Sequence, residues 1–294
     1  MVNNASDILV FDRSALRKNR NRCACNSGDH KFLFDWTSAR LTERLSDIRR
    51  HFSLSLQIGA RADLKSDKVD QKIIMDISPD DPDTKIIADE DFLPFKANSL
   101  DLVYSALNLH SVNDLPGALL QIRKSLKPDG LFIAALFGGE TLIELRDSLM
   151  QAELELKGGL SPRVFPFADK QQIGALLQRA GFALPVVDSE IVTVTYDNIF
   201  KLMHDLRFMG EGNIIRNRHK TNPGKSFFMK AAEHYRTKYS EKDGRIRASF
   251  EIIFLIGWAP HENQQKPLRP GSAKNRLADA LSTQEIKTGE KAGL

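Results

Sequence analysis

The sequence predicts a doubly wound α/β sheet of seven strands, with an antiparallel pair at one edge and a helical insertion. Three observations predict it. Short apolar runs alternate with helix-period segments up to about residue 180, the order expected of parallel strands joined by crossover helices. The run "LFIAALF" is apolar throughout, as a strand covered on both faces must be. Beyond it, two β-branched stretches are separated by a polar helical segment at residues 198–243, which suits an antiparallel edge pair.

The elements follow in order. "DWTSARLTERLSDIRRHF" places Leu41, Leu45 and Ile48 on one side of an amphipathic helix. "FSLSLQIG" is a first strand ending at Gly59. "KIIMDIS" is a second, over Ile73 to Met75 and ending at Asp76, followed by the turn cluster "PDDPDT". "KIIAD" and "SLDLVYSALNL" are the third and fourth strands. "DLPGALLQIRKSL" carries Leu115, Leu119, Ile122 and Leu126 along one helix side and stops in a turn at "KPDG". The fifth strand is "LFIAALF". A helix over "TLIELRDSLMQAELEL", a loop and the helix "KQQIGALLQRAGF", closed by Gly181, come next. "LPVVDSEIVTVTY" and "RIRASFEIIFLIGWA" are strands six and seven. Three regions result: a basic helical arm over residues 1–45, the α/β domain over 46–260, and a polar tail over 261–294 whose last dozen residues are expected to be disordered.

Composition narrows the function classes. No apolar run approaches the ~20 residues of a membrane-spanning helix, and the start lacks the order of a secretory signal. Cys23 and Cys25, the two cysteines, make no disulfide framework, so a reducing, cytoplasmic setting is expected. A net charge of +4 is too small to argue for nucleic acid. It is unevenly placed, however. "RSALRKNRNR" holds Arg13, Arg17, Lys18, Arg20 and Arg22 without an acid, which reads as a solvated face or as a dock for an acidic partner or an anionic membrane surface. Cys23, Cys25 and His30 fall short of four zinc ligands. The other histidines, His110, His204, His219, His234 and His261 among them, are scattered, with no two-histidine, one-carboxylate spacing. No metal site is expected.

Open α/β sheets bind ligands at the carboxyl ends of their strands. Polar residues stand at those ends here. Gly59 follows strand one, and Asp76 follows strand two at 17 residues' distance, near the interval at which an acid meets a ribose. Asp89 and Glu90 follow strand three, and Ser105, Asn108 and His110 follow strand four. Together they point to a nucleoside site, with Asp76 in a solvent-facing crevice. "GGLSPRVFPF" reads as an ordinary connection or as a stiff apolar lid that turns Arg163 toward an acidic group.

The segment "ADEDFLPFKANSLDLVYSALNLHSVNDLPGALLQIRKSLKPDGLFIAALFGGETL" resembles class I S-adenosylmethionine-dependent methyltransferases, close to the branch with the biotin-pathway malonyl-carrier-protein methyltransferase. "FDRSALRKNRNR", "GGLSPRVFPFAD", "LMHDLRFMGEGN" and "FEIIFLIGWAPHENQQKPLRPGSAKNRLADAL" resemble bacterial relatives of the mitochondrial complex I assembly factor five. The resemblance covers residues 9 to about 281. It implies a methyltransferase-like, Rossmann-like fold, S-adenosylmethionine as cofactor, and arginine hydroxylation on a protein subunit of respiratory complex I. Methylation of another substrate and a non-catalytic assembly role are the alternatives. It assigns Asp76 to the ribose and Asp89 to the neighbourhood of the adenine. Gln57 stands where the family has an acid, and of the glycine-rich loop only Gly59 remains, with Arg61, Ala62 and Asp63 after it. Cofactor contacts are therefore expected at Gln57, Gly59, Asp76, Asp89, Glu90 and Ser105, and His110 and Arg163 are the candidates for catalysis.

Overall fold

The computed structural model describes residues 9–26, 28, 30–265, 272, 275–284 and 286. Seven strands form one sheet in the order β3-β2-β1-β4-β5-β7-β6. They are β1 (Phe52–Ile58), β2 (Val69–Asp76), β3 (Ile86–Ile87), β4 (Leu100–Ala106), β5 (Leu126–Phe137), β6 (Ala183–Tyr196) and β7 (Ile246–Trp258). The first five run parallel. β7 is antiparallel to both β5 and β6, so the expected edge pair is present.

Strand side chains alternate between two cores, as the period of two requires. Leu102, Tyr104, Leu131, Ile133 and Phe254 face one core with α2 (Phe32–Ser46), α4 (Ile143–Lys157), α6 (Ile199–Phe208) and α7 (Lys225–Tyr239). Val103, Phe132, Ala134, Ile253 and Leu255 face the other with α3 (Leu115–Ser125) and α5 (Lys170–Arg179). The helices are capped as their sequences require. The Asp114 side chain accepts from Gly117 N ahead of α3, and Asp169 and Gln172 form a capping box on α5.

Three local differences from the sequence expectation have physical causes. The turn expected at "KPDG" lies inside β5: α3 ends at Ser125, and β5 starts at Leu126 with a register shift against β4. Asp129 takes a φ of +61°, and Arg50 donates to its carboxylate at 2.8 Å, so a kink replaces the turn without ending the strand. β2 begins at Val69, four residues before Ile73, because its polar outer half pairs with β1. No helix follows β1. Residues 59–68 connect it to β2 as a loop, and α2, which precedes β1, packs on β4 and β5 instead.

α1 (Arg13–Asn26) belongs to the same compact unit as the sheet, Met1–Pro260. Its entry is fastened from both sides. Phe11 N donates to Asn113 Oδ1 at 2.8 Å, and Asp12 N donates to Ile214 O at 2.8 Å. The solvated-face reading of this helix holds for Arg17 and Lys18, which are exposed, and is corrected at Arg20, which is only 2% exposed. A docking role for Arg20 on an outside surface falls with it. His261–Leu294 forms a second unit, in which a short helix, α8, spans Leu277–Ala280. The disorder expected of the last dozen residues lies almost wholly outside the described residues. No helix of the described residues is long and apolar enough to cross a membrane.

Asp101 on β4 illustrates how acids are spent inside the sheet. Its carboxylate accepts from Leu54 N of β1 at 3.1 Å and from Lys127 Nζ of β5 at 2.8 Å. Asp101→Ala should lower stability by about 1–3 kcal/mol, the cost of leaving a buried amide unpaired. An unchanged urea midpoint would show that β1 and β4 are held without it.

Candidate functional site

The carboxyl ends of the parallel strands converge where the sequence places them, but the crevice they form is filled. Gly59 ends β1 with a φ of +94°, and a Cβ there would lie 2.6 Å from Asn108 Oδ1, so glycine is required on both counts. Gln57 is buried and turned into the loop after it. Its Nε2 donates to Gly59 O at 2.9 Å and to Ala62 O at 2.5 Å, and its Oε1 accepts from Leu64 N at 3.0 Å. An amide can donate and accept at once, which a carboxylate cannot. Gln57 therefore staples a helix-less loop and offers a ligand nothing. Ser105 Oγ likewise donates to Ile58 O at 3.2 Å.

Asp76 is not in an open crevice. It is 2% exposed and accepts from Ala60 N and Ser78 N, each at 2.9 Å, and from Arg20 Nη1 at 3.3 Å. Arg20 also donates to Asn108 Oδ1. Arg13, one helical stretch earlier on α1, donates to Asp89 Oδ1 at 2.6 Å, to Ser111 O at 3.0 Å and to Glu90. Glu90 is fully buried and also accepts from Asn108 Nδ2 at 2.5 Å. Opposing burial, the charges of Glu90 and Asp89 hold the Arg13 guanidinium above its ordinary range.

Arg61 fills the other half. It turns inward, 6% exposed, stacks over Phe34 and donates to Leu107 O at 2.6 Å, Met209 O at 2.8 Å and Glu211 Oε1 at 2.5 Å. Glu211 accepts from His110 Nε2 at 3.0 Å through its second oxygen. Burial raises the Glu211 carboxyl, but the neighbouring His110, Arg61 and Arg20 outweigh it and hold the group well below the usual carboxylate range. Burial pushes the His110 imidazole down, against the pull of Glu211. Its Nδ1 is buried with no partner among the described residues, as are Arg20 Nε and Nη2 and Arg61 Nε.

The space left among Arg20, Cys23, Arg61, Asp76 and Ser78 is about 10 Å³. That is room for about one water, whereas drug-sized ligands occupy pockets of roughly 300–1,000 Å³. The polar set at the strand ends suits a nucleoside, yet S-adenosylmethionine does not fit while Arg20 and Arg61 hold these positions. A larger cavity of about 210 Å³ adjoins Glu211 on the other side, lined by Phe137, Phe165, Phe167, Arg163 and Phe250 among others. Arg163 does face an acid, Glu153, at 2.6 Å, and it lies over the Phe227 ring. It is not brought together with His110, whose ring packs on Phe137, Phe165 and Phe167.

Arg20, Arg61 and Glu211 are central here, and sequence reasoning assigned none of them to the site. The signal for Glu211 was its place in "MGEGN": Gly210 adopts a φ of +82°, and a Cβ added there would lie 3.6 Å from Arg61 Nη1. Arg20 was hidden in a charge run that reads as solvated.

Comparison with known proteins places this architecture. Residues 61–134 match a methyltransferase domain model. The chain is 41% identical over 297 residues to "Arginine-hydroxylase NDUFAF5, mitochondrial" of Danio rerio, covering 96% of this chain and 92% of that protein. The chain belongs to the NDUFAF5 arginine-hydroxylase family. A malonyl-[acyl-carrier protein] O-methyltransferase of Xylella fastidiosa is 36% identical over 175 residues, covering 60% of this chain and 57% of that protein. The YcgJ protein of Bacillus subtilis has the same fold, with a TM-score of 0.52 and 14% identity, over 76% of this chain and 99% of that one. The NDUFAF5 relationship runs through both halves of the site, since it spans α1 and the segment around Glu211. The methyltransferase domain match begins only at Arg61, past Gly59 and the arm.

Proposed function

We propose that this protein acts in the assembly of respiratory complex I by hydroxylating an arginine side chain of one of its protein subunits. The observation that carries the proposal is the 41% identity to an arginine-hydroxylase over 96% of the chain. The cavity beside Glu211 supports it. Aromatic faces from Phe137, Phe165 and Phe167 and a carboxylate at the wall are what a guanidinium needs to enter an apolar space. Because Glu211 is already paired with Arg61 and His110, a substrate arginine would share that carboxylate. His110, whose ring packs on Phe137, Phe165 and Phe167 and whose Nδ1 has no partner among the described residues, is the residue placed to exchange a proton near it.

Replacing a C–H bond by C–OH with molecular oxygen takes two further electrons and an oxygen-activating centre. S-adenosylmethionine, the ligand of the fold, enters its crevice only once Arg20 leaves Asp76. Catalysis at the apolar cavity and cofactor binding at the strand ends are thus separate demands on the site. The filled crevice favours a second reading, in which the protein holds an assembly intermediate without catalysis. In either case the partner is a protein of complex I, met in the cytoplasm at the inner membrane surface.

Mass spectrometry of complex I subunits from a deletion strain separates these. The expected result is loss of about 16 Da, one oxygen atom, from one arginine. Loss of about 14 Da would make the protein a methyltransferase. Subunit masses unchanged from those of the parent strain, with loss of the assembled complex, would replace catalysis by the holding role.

A further inference from the structure

The histidines that look scattered in sequence converge in part. His30, in the turn between α1 and α2, meets His204 and Asp205 of α6, and one ligand atom from each lies within 4.8 Å of the others. His30 Nδ1 is 2.8 Å from Asp205 Oδ1. Metal–ligand bonds of about 2.0–2.2 Å put neighbouring donors about 3.0–3.5 Å apart, so small side-chain rotations close the set around one ion.

A simple His30–Asp205 ion pair accounts for two of these groups and leaves His204 without a reason to be there. His204 is exposed, with its ring 5.4 Å from that of His30. Phe208, one turn along α6, stacks on His30 at 5.0 Å and lies 4.5 Å from His204, which walls one side of the cluster with an apolar ring. Solvent reaches the other side through His204, so an ion has an entry path. Two imidazoles and one carboxylate suit a borderline divalent ion and leave positions open to water.

We propose that His30, His204 and Asp205 bind one divalent transition-metal ion, which clips the α1–α2 turn to α6. The site ties together two segments that both reach the filled crevice. α1 supplies Arg13 and Arg20, and α6 leads directly into Met209 and Glu211, which hold Arg61. The metal site stands independently of the activity proposed above.

The test uses untagged full-length protein freed of metal by a chelator and then titrated with Co²⁺, with Zn²⁺ as competitor. One Co²⁺ per chain is expected, with visible absorption bands that Zn²⁺ abolishes and a rise in melting temperature on loading. His204→Ala removes an exposed side chain, so its metal-free melting temperature should match the parent's. Its affinity for Co²⁺ should fall by about tenfold or more, at least the loss seen for groups that merely support ligands. A parent that takes up no Co²⁺ or Zn²⁺ at about 100 µM, far above working affinities of structural sites, would overturn the proposal. So would a His204→Ala variant that binds as tightly as the parent.

Discussion

Arg20→Ala should bind S-adenosylmethionine about tenfold to a hundredfold more tightly than the parent. In the folded protein the Arg20 guanidinium occupies the carboxylate of Asp76 and the amide of Asn108. A ribose seeking the same carboxylate must displace it. Hydrogen bonds to charged groups are worth roughly 1.5–3 kcal/mol, and each 1.4 kcal/mol is a factor of ten in affinity. Removing the side chain also enlarges the space of about 10 Å³ beside Asp76. Calorimetric titration of parent and variant reads the difference. Equal affinities would mean that the ligand binds away from Asp76. Binding by the parent that is lost in the variant would make Arg20 a contact for the ligand and not its competitor.

The second large effect is expected at Glu211. Glu211→Gln keeps the shape but leaves Arg61 buried without its counter-charge, and breaking a buried pair in this way costs about 3–5 kcal/mol. Urea unfolding at neutral pH would measure it, and a loss below about 1 kcal/mol would show that the two carbonyls on Arg61 suffice. The pH dependence gives an independent reading. The folded protein holds Glu211 below its ordinary value of 4.5 and His110 below its ordinary value of 6.5. Both groups therefore bind more protons when unfolded, and stability rises with pH across each window. For the parent, stability should be full above about pH 6.5, decline below it as unfolded His110 takes up a proton, and fall more steeply below about pH 4.5 as Glu211 does. In Glu211→Gln the steeper part contributed by this residue should be absent while the shallower one stays.

Much of the fold was legible because it rests on periodicity. The apolar run of β5 and the alternation of β6 and β7 fix burial on two faces or one, and the antiparallel edge follows from the helical segment between them. The strand-end positions Gly59, Asp76, Asp89, Glu90 and His110 were legible for the same reason. Their partners were not. Arg20 is 56 residues from Asp76 and Glu211 is 101 from His110, and no local pattern couples residues so far apart. The charge run at the start misled because a run of cations is ordinarily solvated. Here three of them, Arg13, Arg17 and Arg20, find carboxylates or carbonyls at the strand ends. Gln57 was misread through family position. Its amide holds a loop that lacks the helix usual after a first strand, and that missing helix leaves no mark in the periodicity of ten loop residues.

The fastening of α1 has a consequence for biosynthesis. Its acceptors lie at Asp76, Asp89, Glu90 and Ser111, and the backbone ahead of it bonds to Ile214. α1 thus cannot complete its contacts until about 200 further residues have been made. At the usual ~5–20 residues per second that is an interval of roughly 10–40 s. Arg13 and Arg20 meet Asp76, Asp89, Glu90 and Ser111 within its first half, and only the backbone bond to Ile214 waits for its end. The bond to Ile214 comes within reach before β7 (Ile246–Trp258) has been made, so α1 can be fastened to the parallel strands before the antiparallel edge completes the sheet.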